Sequence, residues 1–369
     1  MRVARRLCCR SGLGEPSSTS PRDRSLMEDY PQLLRRLLQG GTMSAAESAA
    51  TVGAIIDETI TSAQAAGLLI ALAARGETIE EVIGAATAMR ERAVRLEHQL
   101  PLVIDIVGTG GDGTQSINIS TAAALVVAGA GIPVAKHGNR AASSTCGSAD
   151  VLEALGVPLD REPAAAAELL TSHRIAFLFA PRYHPVMKAA NGLRRELGVR
   201  TIFNLLGPLC NPAGAHRQLV GVFGEAQVDL VADAMQGLGV EEGAVVHSAS
   251  GMDEVAGEGP TWVAQFGRDG SRRWVLHPED YGIRASLDDV RGGDAQTNAK
   301  LLLAILRGES SPSADVVALN SSLALVVAGA ADGVEEGLVL ARASLGSGAA
   351  LAALDALRGR PDAQAVAGV

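Results

Sequence analysis

The sequence predicts an α/β protein: a small N-terminal helical domain ahead of a larger α/β domain with a central, mostly parallel sheet. Three observations carry this. From Met27 to about Arg95 the apolar residues recur at helical spacing. Near Pro101 short apolar runs begin to alternate with helical ones, the pattern of βαβ units. A glycine-rich run, Gly108-Thr109-Gly110-Gly111-Asp112-Gly113, separates the first such run from the first such helix. The 369 residues suffice for one large domain or two modest ones, either with a full core.

Taken in order, residues 1–26 hold six arginines among Ser, Pro and Gly and lack the apolar core of a secretory signal. They are expected to form a disordered extension, with Met27 opening a helical domain over 27–98. There Leu33, Leu34, Leu37 and Leu38 make an apolar stripe between Pro31 and Gly40-Gly41. Ser44 with Glu47 and Thr78 with Glu81 read as capping boxes, and an Ala/Leu-rich helix is expected from about Ser62 to Ala74. In the α/β domain, 99–365, strands are expected at Leu102–Val107, Ile132–Ala135, Ile175–Phe179, Leu219–Phe223 and Ala244–His247. From Ala314 to Leu357 the pattern is helical again, with Gly333, Gly337, Gly346 and Gly348 as breaks. The string Leu125–Ala130 recurs at Leu325–Ala330, but one match of six residues between Ala/Val helices is no repeat architecture.

Composition excludes several classes. A net charge of −9 and 3 % aromatic residues argue against a nucleic-acid partner, which needs basic charge and stacking platforms. The longest apolar stretches, such as Ala122 to Ala135, are too short and too broken to span a bilayer, so no membrane is expected. Of the four cysteines Cys8 and Cys9 are adjacent while Cys146 and Cys210 stand alone, without disulfide or zinc spacing. That usage points to a reducing compartment, the cytoplasm.

Three constellations carry chemistry. In Gly108 to Thr121 the glycines let backbone amides approach an anion, and Asn118, Ser120 and Thr121 add polar groups at a helix start. Phosphate or pyrophosphate suits such a loop; the other reading is a tight strand–helix turn. The Walker and G-x-G-x-x-G spacings are absent. Lys136 to Asp150 gathers Lys136, His137, Asn139, Arg140, Ser143, Ser144 and Ser148 after the next strand. Alone it would read as a solvated loop, but two polar loops after successive strands should face one crevice. Asp253-Glu254, past the strand ending at His247, has the hard oxygens that Mg²⁺ shares with phosphates, or is an ordinary acidic turn.

These motifs, with Arg194-Arg195-Glu196-Leu197-Gly198 and the run Thr201 to Leu209, resemble the anthranilate phosphoribosyltransferases from Met27 to about Arg358. The resemblance implies a nucleoside-phosphorylase-like phosphoribosyltransferase fold, a homodimer, and a step of tryptophan biosynthesis. It also implies that helices within about 184–205 join the helical domain. By position it assigns Gly108, Gly111, Asp112, Ser116, Asn118, Ser120, Thr121, Lys136, Ser144 and Ser148 to phosphoribosyl diphosphate. Gly108, His137, Asn139 and Arg194 fall to anthranilate, and Ser120, Asp253 and Glu254 to Mg²⁺, two ions. Cys146 stands where serine is usual, and a thiol is the weaker donor, so it reads as a small turn residue.

The implied reaction moves a phosphoribosyl group onto the anthranilate amine and releases pyrophosphate. Lys136 and Arg194 would act by electrostatics and positioning, with His137 as an optional proton acceptor. Two alternatives keep the architecture. A pyrimidine-nucleoside-phosphorylase-like enzyme should lack the Arg194 motif and the Asn118–Thr121 run; a non-catalytic phosphoribosyl-binding paralogue should lose the carboxylate pair. A Rossmann-like phosphoribosyltransferase would need an acidic pair on the preceding strand, where Asp105 stands alone.

Overall fold

The computed structural model describes residues 30–141 and 145–359. The expected extension over 1–26, the opening at Met27, the serines Ser143 and Ser144, and 360–365 lie outside the described residues.

Four helices come first: α1 (Tyr30–Leu38), α2 (Ala45–Ile56), α3 (Ser62–Arg75) and α4 (Ile79–Glu91). The capping boxes at Ser44/Glu47 and Thr78/Glu81 form, and Thr61 with Gln64 makes a third that starts α3. The apolar stripe of α1 is narrower than expected. Leu37 is buried against α3, while Leu38, one residue round the helix, is 69 % exposed.

Next come β1 (Ile104–Gly108), α5 (Ile119–Gly129), β2 (Val134–Gly138), α6 (Ser148–Ala154), α7 (Pro163–His173) and β3 (Ile175–Phe179). After α8 (Ala180–Tyr183), α9 (Met187–Leu197) and α10 (Phe203–Leu209) the chain returns as β4 (Arg217–Gly221), α11 (Ala226–Gly237) and β5 (Glu242–Ser248). The hairpin β6 (Thr261–Gly267) and β7 (Gly270–Leu276) follows. Four helices close the chain: α12 (Ala295–Leu306), α13 (Pro312–Val327), α14 (Val334–Gly346) and α15 (Ala349–Leu357).

The sheet has seven strands in the order β3-β2-β1-β4-β5-β6-β7. The first five are parallel and β6 and β7 antiparallel. Chain direction across the sheet reverses between β1 and β4, and open α/β sheets bind ligands at such a switch point, beyond the carboxyl ends of the strands. Neighbouring β2, β1 and β4 end at Gly138, Gly108 and Gly221, with Gly108 in register with Gly221.

One face of the sheet packs on α5 and the C-terminal helices. On the other, Val52, Ile55 and Val82 of the first helices share a cluster with Met187, Ile202, Phe203, Val231 and Phe266. Among the described residues no single helix is long and apolar enough to cross a membrane.

Three expectations need correction. β2 runs on to Gly138, so Lys136 and His137 lie on the strand, 3 % and 5 % exposed, rather than in the loop after it. The hairpin β6–β7 was not expected, because β7 is an edge strand with exposed Ser271, Arg272 and Arg273 that reads as loop. Gly337 breaks nothing. It lies inside α14, where a Cβ would come 2.6 Å from the Ser322 carbonyl oxygen, so it is the contact point with α13.

Candidate active site

The glycine loop leaves β1 through Gly110, Gly111 and Gly113 at φ +64°, +76° and +80°. This left-handed backbone favours glycine, and the loop stays bonded to Gly221 at the end of β4 and to Asp253. The acidic loop from β5 crosses the same point. A Cβ on Gly108 would overlap the Asp253 carboxylate, and one on Gly221 would overlap the Asp253 carbonyl. Both strands therefore end in glycine because Asp253 lies across them. Gly221 was not singled out in the sequence; its only signal is a glycine at a strand end.

The two loops are bonded together. Gly110 N–H donates to Asp253 Oδ2 at 2.7 Å, and Ser120 N–H, in the first turn of α5, donates to Glu254 Oε1 at 3.1 Å. Asp112 closes the corner. Its carboxylate accepts from the amide and hydroxyl of Thr114 and, at 3.4 Å, from the Asp253 amide. Burial, then the charge of Asp112, pushes the Asp253 carboxyl up to about 7. Burial, then the charge of Asp253, pushes Glu254 up to about 8.

Carboxylates crowded until they resist ionisation suit a divalent cation, which would relieve both burial and repulsion. Asp253, Glu254 and the Ser120 hydroxyl offer only hard oxygens, as Mg²⁺ prefers. Among the described residues no three His, Cys, Asp or Glu groups form a cage for a metal ion.

Beneath this corner Lys136 donates to Ile106 O at 2.6 Å and to Ser120 Oγ at 3.2 Å. Burial lowers its pKa, while Asp105, Glu254 and Asp253 favour its charged form. Asp105 is fully buried and pushed up to about 6; it accepts from Asn211 Nδ2 at 2.7 Å and from the His137 amide at 3.2 Å. Thr121 is 1 % exposed, and its hydroxyl has no partner among the described residues.

The second loop is tied to the first through Asn118. Its Nδ2 donates to Cys146 O at 3.0 Å, and its Oδ1 accepts from Asn298 Nδ2 at 3.0 Å. The Cys146 thiol is buried and turned towards Asn118 Oδ1 and Gly147 O, each at 3.6 Å, and burial pushes it up to about 11. Ser148 Oγ donates to Asn139 O at 3.3 Å. Ser116 is half-buried, its backbone bridged to Arg291.

On the acceptor side His137 Nδ1 meets Gly207 O at 3.2 Å, while its buried Nε2 has no partner among the described residues. Burial and the neighbouring His184, ring centroids 5.1 Å apart, push His137 down to about 3, so it is neutral at physiological pH. His184 escaped the sequence reading. Among the described residues the Arg194 side chain on α9 bonds Asn191 Oδ1, at 3.3 Å, and no carboxylate; burial lowers its pKa. Arg200, a few residues on, donates to Gly111 O at 3.2 Å and lies 4.6 Å over the Phe223 ring, bringing this segment against the glycine loop. A hollow of about 1170 Å³ beside the crevice is lined by Arg140, Phe179, Arg182 and Arg358, each arginine already paired with a carboxylate.

Residues 100–351 match the glycosyl transferase family, a/b domain, and residues 31–93 its helical bundle domain. The anthranilate phosphoribosyltransferase of Moorella thermoacetica is 48 % identical over 325 residues, covering 88 % of this chain and 96 % of the relative. That of Thermomicrobium roseum is 48 % identical over 331 residues, covering 88 % and 95 %. The crystal structure of the Thermus thermophilus enzyme, TrpD, superposes with a TM-score of 0.84 at 42 % identity, covering 88 % of this chain and 98 % of that one. The Saccharomyces cerevisiae enzyme in complex with PRPP and Mg gives 0.82 at 26 % identity, covering 90 % and 98 %. The chain belongs to the anthranilate phosphoribosyltransferase family of glycosyl transferases.

Proposed function

We propose that this chain transfers the phosphoribosyl group of 5-phosphoribosyl 1-diphosphate to the amine of anthranilate, releasing pyrophosphate, as a step of tryptophan biosynthesis. The observation that carries the reading is the junction at the switch point, where Asp253 bonds Gly110 and Glu254 bonds Ser120 directly above Lys136. The yeast relative's complex with PRPP and Mg supports Mg²⁺ as the cofactor, and we assign it two ions.

The difficulty of the reaction is a multiply charged leaving group departing from a sugar carbon that turns cationic. Bound beside Asp253 and Glu254, Mg²⁺ supplies charge neutralisation to the departing pyrophosphate. The chain supplies the rest. Amides of the Gly108–Gly113 loop and the start of α5 offer preorganised donors, and Lys136 adds positive potential from below. Ser116, Asn118, Ser144 and Ser148 complete the phosphoribosyl side. Arg194, lacking an acidic partner among the described residues, is free to take the anthranilate carboxylate and align the amine with the anomeric carbon. Gly108, His137 and Asn139 frame the ring. An aromatic amine is neutral at pH 7, so the weakly basic His137 is not needed to create the nucleophile.

We further propose that residues 27–98, with helices from 184–205, act as one domain against 99–365, and that two cytoplasmic copies pair. The exposed Leu38 and Ile70 support an interface on the helical side. The reading is tested by expressing the chain in a bacterium that lacks its own anthranilate phosphoribosyltransferase. Growth without tryptophan supports it; no growth despite soluble protein, with phosphorolysis of pyrimidine nucleosides in the extract, supports the phosphorylase instead.

A further inference from the structure

Besides Gly110 and Ser120, the loop that carries Asp253 and Glu254 has a further, neutral anchor. Val255 directly follows Glu254, and both polar groups of its backbone end on one side chain. Its N–H donates to Asn320 Oδ1 at 2.9 Å, and its C=O accepts from Asn320 Nδ2 at 2.8 Å. The second amide proton of Asn320 goes to Val316 O at 2.9 Å, so both donors and the acceptor are committed.

The position is a costly one for an amide. Asn320 lies mid-way along α13, 0 % exposed, between the equally buried Leu319 and Leu323. Asparagine is a poor residue for a helix interior, and an apolar side chain would pack there without needing partners. What the amide adds is a two-point grip on the peptide groups of one residue, which fixes both the position and the rotation of the backbone. The preceding helix repeats the device. Asn298 of α12, 1 % exposed, accepts from Gly293 N–H at 2.8 Å and donates to Asn118 Oδ1 at 3.0 Å. Each helix thus places one buried amide on one side of the site.

We infer that Asn320 is a positioning residue: by gripping Val255 it holds Asp253 and Glu254 against Gly110 and Ser120 before substrate arrives. This rests on the reading that those carboxylates hold Mg²⁺ with phosphoribosyl diphosphate. Asn320→Leu removes all three bonds, and Asn320→Asp keeps an acceptor for the Val255 amide but loses both donors. Leu323→Ala on the same helix loosens packing while leaving all three bonds of Asn320 in place. Phosphoribosyl diphosphate is titrated calorimetrically into each protein with and without Mg²⁺, beside a melting curve.

The wild type should bind more tightly with Mg²⁺. In both Asn320 variants that Mg²⁺-dependent gain should shrink by about tenfold or more, the scale expected when a ligand's supporting partner is lost. Leu323→Ala should melt earlier and keep the gain. Asn320 variants that only melt earlier, with the full gain, would overturn the inference. A wild type that gains nothing from Mg²⁺ would instead overturn the metal reading beneath it. Should neither Asn320 variant fold, hydrogen exchange on the substrate-free wild type decides: slow exchange at the Val255 amide is expected, and exchange as fast as an open loop overturns the inference.

Discussion

Gly110 N–H donates to Asp253 Oδ2 at 2.7 Å across 143 residues of chain, and with the Ser120–Glu254 and Asp253–Asp112 bonds it makes the glycine loop and the acidic loop a single unit. Neither loop is a site alone. The first offers amides without a metal, and the second offers carboxylates without phosphate donors. Their meeting depends on Gly108 and Gly221, over which Asp253 passes.

Gly221→Ala should therefore cost more than an ordinary glycine change. Its Cβ would meet the Asp253 backbone, which has no flexible end to move aside. Overpacking of this kind costs about 1–3 kcal/mol, and here it displaces the carboxylates as well, so turnover should collapse along with a lower Tm. Gly346→Ala, with open space around its Cβ, is the control and should be neutral or slightly stabilising. Paired melting curves and rates check both.

The carboxyls pushed up to about 7 and about 8 at Asp253 and Glu254 give the substrate-free protein an unusual pH dependence. Above roughly pH 4 the unfolded chain has released protons that the folded chain still holds. The stability this contributes is fully present below the unfolded values and is lost as pH rises through about 7 to 8. Tm should fall between roughly pH 4 and 8 and level off above that, and Asp253→Asn with Glu254→Gln should flatten that fall. A wild-type profile as flat as the variant's would contradict the assignment.

Lys136→Met should lose both activity and stability. Lys136 is buried on β2, and its loss removes the bonds to Ile106 O and Ser120 Oγ together with a charge that favours ionised Asp105. A variant that melts like the wild type would contradict a structural part for this buried ammonium.

Arg194→Ala should separate the two substrates. Losing a charge-assisted bidentate contact costs roughly 1.5–3 kcal/mol, about one to two decades in affinity. KM for anthranilate should rise by that order while KM for the diphosphate moves little. Tm should hold, since Arg194 has no carboxylate partner to lose among the described residues. Equal weakening of both substrates would count against the carboxylate clamp.

What could be read in the sequence was whatever local chemistry announces. The turn at Gly108–Gly113 shows because glycines follow an apolar run, and the caps at Ser44 and Thr78 because their partners lie three residues on. Thr61-Gln64 carries the same signature and was overlooked, as was Asp269-Gly270, a hairpin turn signal. Other features have no local signal. Lys136 and His137 look like loop residues until Ile106, Asp105 and Gly207 are seen to satisfy them from distant strands and helices. Gly221 is required by Asp253, and Asn320 sits in an Ala/Val helix where only the fold reveals Val255 as its partner.

The most direct measurement mixes the purified chain with anthranilate, phosphoribosyl diphosphate and Mg²⁺, and follows anthranilate fluorescence alongside released pyrophosphate. Fluorescence should disappear with one pyrophosphate released per anthranilate consumed, and a chelator should stop both. Fluorescence that persists with Mg²⁺ present, or pyrophosphate released without loss of anthranilate, would contradict transfer at this site.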